Sequence, residues 1–154
     1  MNLEILDVEE SKGNYVIKSE VDFKSFKMCI VITYLIEKEI VAVIIEFTRL
    51  IPGHRFNDIY DITNRINTML MDIGHFKLSP KTGKILLCTS VDVVKGFLDI
   101  CQFEELINRI IGQGEICYEI ITRVAFDKNC PEKAWPYCMF QHQNSVDNEN
   151  PKLN

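Results

Sequence analysis

The chain has 154 residues, 47% of them hydrophobic and 25% charged, with a net charge of −5 and a pI near 5.2. Length and composition fit one soluble domain with a single core. The acidic balance, with no Lys/Arg cluster, argues against nucleic-acid binding, because affinity for phosphate backbones comes from basic side chains.

Met1–Gly13 is acidic and has neither the basic nor the apolar region of a secretory signal, so a cytoplasmic location is expected. Within it, Leu3–Val8 fits a short edge strand. Tyr15, Ile17, Val21 and Phe23 alternate with Lys18, Glu20 and Asp22, the pattern of a half-buried strand. Phe26–Ile36 is apolar on both faces. Met28, Ile30, Ile32 and Tyr34 lie on one, and Cys29, Val31 and Leu35, with Thr33, on the other. A strand of that kind is covered on both sides or forms part of an interface. Glu37–Glu39 is a tight turn, and Ile40–Leu50 is a third strand rich in β-branched residues. Connections this short make an antiparallel meander. Met28–Ile51 carries too many charges to span a membrane, and no membrane association is expected.

Pro52-Gly53 breaks the sheet, and the spacing predicts an amphipathic helix over Arg55–Ile73. Its stripe is Phe56, Ile59, Ile62, Ile66, Met69, Leu70 and Ile73, and Gly74 is expected to end it. A hairpin over His75–Val94 follows, turning at Pro80–Gly83. A second helix is predicted over Asp99–Phe126, with Phe103, Leu106, Ile107, Ile110, Cys117, Ile120, Ile121 and Val124 on its apolar side. Gly112 and Gly114 interrupt it and imply a kink or a close approach. Beyond Asp127 stands a cluster containing Trp135, Tyr137 and Phe140, read either as a docking motif or as a cover folded over the sheet. Residues 1–140 are thus read as one domain, and residues 141–154 as a disordered polar tail.

No catalytic constellation is evident, and the protein reads as a non-enzyme without cofactor. The six cysteines form no CxxC pair and read as free thiols. Cys130, Cys138 and His142 match no standard zinc spacing, so no metal site is assigned. His54 and His75 flank the first helix at its opposite ends and share no site.

The element order, together with the run Asn67–Leu78 and then Lys81–Leu87, resembles the YbjN family, putative bacterial sensory-transduction regulators. Asn67, Gly74, Phe76 and Gly83 match that family's junction between helix and hairpin. The resemblance implies a fold like that of type III secretion chaperones: an α+β domain with an antiparallel sheet of about five strands (β-β-β-α-β-β-α) and helices packed on it. It further implies a non-enzymatic, chaperone-like or regulatory module that binds a polypeptide partner and forms a homodimer. The family's helix before the first strand has no counterpart in Met1–Gly13. The expected partner surface is Cys29, Val31, Thr33 and Leu35 with the exposed side of the first helix, and with Trp135, Tyr137 and Phe140 under the docking reading. The alternative is a small-molecule sensor, its pocket between the sheet and the second helix near Gly112 and Gly114.

Overall fold

The alternating strands assemble into one antiparallel sheet in the computed structural model, which describes residues 4–11, 14–23, 26–93, 98–127, 131 and 134–135. The elements are β1 (Glu4–Ser11), β2 (Asn14–Phe23), β3 (Phe26–Leu35), β4 (Ile40–Phe47), α1 (Phe56–Met69), β5 (His75–Leu78), β6 (Ile85–Asp92) and α2 (Ile100–Phe126). The sheet has six strands in the order β1-β2-β3-β4-β6-β5. The chain is therefore α+β, with one strand more than the expected five. The edge strand β1 runs to Ser11 rather than Val8. Few apolar residues mark it. Instead, the Lys18 ammonium on β2 lies 2.9 Å from the Glu9 carboxylate and 3.8 Å from that of Asp7. Cross-strand ion pairs of this kind make an acidic edge strand compatible with pairing.

Strand β4 shows the alternation in full: Val41, Val43, Ile45 and Phe47 are buried, and the residues between them are half-buried. Its register places Phe47 opposite Met28 on one side and Ile85 on the other, and Ile45 opposite Ile30 and Leu87. These residues face the helices. α1 contributes Ile59, Ile62 and Ile66, and α2 contributes Ile110, Ile120, Ile121 and Val124, all fully enclosed. At about 1.5–3 kcal/mol per enclosed aliphatic side chain, this layer is the main source of stability.

α2 starts at Asp99, whose carboxylate accepts from the backbone N–H of Cys101 (2.9 Å) and Gln102 (3.2 Å). Such a cap contributes about 1 kcal/mol. The helix continues through both glycines to Phe126. At Gly114 it lies so close to the sheet that a Cβ would stand 2.8 Å from Leu87 Cδ2 and 3.8 Å from Phe47 Cζ. One turn on, the Tyr118 ring stacks on Phe47 with centroids 3.9 Å apart. Gly112 points the other way, and a Cβ there would meet nothing within 4 Å among the described residues. Gly112→Ala should therefore stabilise the fold by about 0.5–1 kcal/mol. Gly114→Ala should destabilise it by about 1–3 kcal/mol through overpacking. Urea unfolding of the two variants side by side reads both signs, and equal shifts would contradict the packing described.

α1 ends at Met69, four residues short of the predicted Ile73. The Leu70 and Met71 N–H groups both donate to the Ile66 carbonyl, at 2.9 and 3.1 Å, and the chain turns off the helix axis there. Met69, expected in the apolar stripe, is 60% exposed. Gly74 does have a left-handed φ of +76°, but it stands at the entry to β5 and not at the helix end. A Cβ at Gly74 would lie 2.7 Å from the Cys88 carbonyl oxygen, so the close pass of β6 requires glycine. The hairpin turn closes with Ser79 N–H to the Lys84 carbonyl (2.9 Å) and Gly83 N–H to the Ser79 carbonyl (2.8 Å).

Candidate functional site

The sheet's second face follows directly from the register. Val31 on β3 lies opposite Lys18 on β2 and Ile44 on β4, and Ile44 opposite Cys88 on β6. The row beside it runs Glu20, Cys29, Glu46, Leu86 and Lys77, and the next runs Val16, Thr33, Ala42 and Ser90. Leu35 and Ile40 complete the strip at the β3–β4 turn. Cys29, Val31, Thr33 and Leu35 thus share one surface. Val31, Ile44 and Leu86 are half-buried by their strand neighbours alone. Both helices pack on the opposite, Phe47 side, and among the described residues no helix lies over this face.

Charges frame the apolar strip asymmetrically. Asp7, Glu9 and Glu20, with Lys18 among them, make the β1–β2 end acidic. Lys77 and Lys84, against the exposed Asp92 in the row of Leu35 and Ile40, leave the β5–β6 end net basic, with Lys84 paired to Glu46 at 2.5 Å. Burial, followed by the lesser repulsion of Glu46 and Glu20, pushes the Cys29 thiol above its usual pKa. Burial does the same at Cys88. Both thiols are held protonated and act as small apolar groups rather than nucleophiles. Burial, then the charge of Lys77, lowers the pKa of His75 and favours its neutral form.

Trp135 belongs elsewhere: it packs against the core together with the buried Ala134, not with Cys29 and Val31. Tyr137 and Phe140 lie outside the described residues, as do Cys130, Cys138, His142 and the polar tail. The junction residues do meet. The Asn67 amide donates to the Phe76 carbonyl (2.9 Å) and accepts from the Phe76 N–H (2.7 Å). Near Gly114 the space expected to form a ligand pocket is occupied by Leu87 and Phe47, and the open volume lies outside α2 beside Gly112. Among the described residues, no group of three or more His, Cys, Asp or Glu is placed to hold a metal ion. None of their helices is long and apolar enough to cross a membrane.

Two contacts carry no local signal in the sequence. The Arg55 guanidinium, 2.7 Å from Asp58, donates to the Val124 carbonyl near the end of α2. Asp72, in the turn after α1, receives Arg109 at 2.5 Å and the Gln113 amide from α2. Burial alone would raise the Asp72 pKa; the Gln113 hydrogen bond and the Arg109 charge more than offset it and hold the carboxylate ionised. The chain matches no family model, no curated protein and no solved structure.

Proposed function

We propose that this protein is a non-enzymatic, regulatory or chaperone-like protein-binding module that works as a homodimer, two copies meeting through the open sheet face. The observation that supports it is the apolar strip of Val31, Ile44, Leu86, Cys29 and Leu35, left without a cover among the described residues. A two-fold axis parallel to the strands would lay the acidic β1–β2 end of one copy over the basic β5–β6 end of the other. Such an interface is isologous and satisfies its own charges. Six strands, mostly eight to ten residues long, give a face of roughly 25 by 26 Å, about 650 Å² in flat projection, the same order as the ~800 Å² per partner of a stable pair. The resemblance to the YbjN family belongs to the same proposal and favours binding over catalysis.

Sedimentation equilibrium should give twice the 17.9 kDa chain mass. Ile44→Lys, on the open face, should yield a folded monomer by the same measurement and by circular dichroism. A wild-type monomer at about 50 μM, a concentration well above the Kd of a standard-sized interface, would end this reading.

A further inference from the structure

The helix layer has a surface of its own, on the other side of the molecule from the open sheet face. Where α1 ends against α2 there is an open groove of about 1050 Å³. Met69, Met71 and Ile116 give it an apolar lining, with the exposed Met69 at its mouth. Methionine is flexible and polarisable, and suits a surface that must adapt to another side chain. Asp72, tied to Arg109 and Gln113, fixes one wall. Among the described residues the lining carries the carboxylates of Asp72, Glu104, Glu105 and Glu115 and the guanidinium of Arg109, which pairs with Asp72. Among the described residues Glu104 and Glu105 are exposed and form no ion pair.

Gly112 lines the same groove. A glycine inside a helix costs about 1 kcal/mol relative to alanine, and among the described residues nothing packs close enough to require it here. It leaves a gap at which a foreign backbone can approach α2. Beside it, the Gln113 Nε2 donates to Asp72, and its Oε1 is buried with no hydrogen-bond partner among the described residues.

From these features we infer that the groove docks a basic amphipathic helix from another protein, its apolar side on the methionines and its Lys or Arg residues on Glu104 and Glu105. Helix-in-groove recognition needs an apolar channel of helix width with complementary charge at the rim. A helix is about 10–12 Å across, so the groove holds roughly two turns, or twice that length half-embedded. The chain's own helices and its tail have the wrong charge. α1 carries Asp58 and Asp61 against Arg65, α2 is net acidic, and residues 141–154 hold Asp147 and Glu149 against Lys152. The helical occupant is therefore neither α1 or α2 of a second copy nor the tail. The groove and the open sheet face are separate surfaces, so either can fail its test without the other.

The probes are fluorescein-labelled peptides of about 15 residues, long enough to reach helical form on binding. One alternates Leu and Lys at helical spacing, a second has Glu for Lys, and a third has Ser for Leu. Fluorescence anisotropy with the full chain should show binding of the Leu/Lys peptide, and the other two weaker by about tenfold or more. Added salt should weaken the complex. Glu104→Lys with Glu105→Lys should cost about tenfold, and so should Gly112→Leu, which fills the gap. Glu10→Lys with Glu37→Lys makes the same net-charge change away from both the groove and the open sheet face and should stay within about twofold. Equal binding of the Leu/Glu peptide, no binding at all, groove variants without effect, or a remote pair as damaging as the groove pair would each overturn the inference.

Discussion

Phe47→Ala should lose about 3–5 kcal/mol of folding stability, the largest single-residue loss expected in this chain. Phe47 ends β4 with no exposed surface, and its ring stacks on Tyr118 at 3.9 Å with 14° between planes. The Phe76 ring on β5 lies 6.1 Å away. Phe47 therefore joins α2 to the sheet at the point where Gly114 brings them closest. Deleting the ring removes its transfer free energy and leaves a cavity between rigid walls, since the flanking Met28 and Ile85 are themselves held in register. Phe47→Leu keeps most of the volume and should cost about 1–2 kcal/mol. Tyr60→Ala, at an aromatic that is 44% exposed on α1, should stay within about 0.5 kcal/mol. A domain of this size has about 5–15 kcal/mol in total, so the alanine variant should unfold at markedly lower urea. Similar midpoints for Phe47→Ala and Tyr60→Ala would place the joint between sheet and α2 elsewhere.

How much of this was legible beforehand depends on how local the cause is. Strands β2 to β4 were readable because alternation is a property of neighbouring residues, and the burial along β4 repeats it residue by residue. The apolar second face of β3 was readable for the same reason, but whether a helix lies over it depends on the path of distant elements. Tyr118 was absent from the predicted α2 stripe although it is almost fully buried. Its burial follows from Gly114 four residues earlier, which lowers the helix onto Phe47, and a periodicity count gives no weight to a glycine. The end of α1 was misplaced because a left-handed glycine is the usual stop signal. Here the chain leaves the helix at Leu70, and Asp72 is tied to Arg109 and Gln113, 37 and 41 residues further on. Arg55 reaches 69 residues ahead to Val124, which no sequence window contains. The groove beside Gly112 exists only where two helices meet, and so it was visible as a broken pattern without its use.

Asn67→Ala should cost about 2–5 kcal/mol, although the side chain it removes is small and polar. The Asn67 amide sits against the outer edge of β5, donating to the Phe76 carbonyl and accepting from its N–H. It stands in for the neighbouring strand that β5, as the last strand of the sheet, does not have. Phe76 is nearly inaccessible to solvent, so its two backbone groups would lose their partners where water replaces them poorly. Asn67→Asp separates the hydrogen bonds from the packing, because the shape is kept and only the donor is lost. An ionised carboxylate there would accept from the Phe76 N–H but face the Phe76 carbonyl oxygen, lone pair against lone pair. That repulsion raises the folded-state pKa of the introduced group above its unfolded value. The contribution of its protonated form is then fully present below the unfolded pKa and lost as pH rises through the folded pKa. Relative to wild type, Asn67→Asp should accordingly be less destabilised near pH 4 than near pH 7, whereas the Asn67→Ala deficit should stay the same at both. A pH-independent deficit for the aspartate variant would show that the junction depends on packing around Asn67, and not on its paired hydrogen bonds to Phe76.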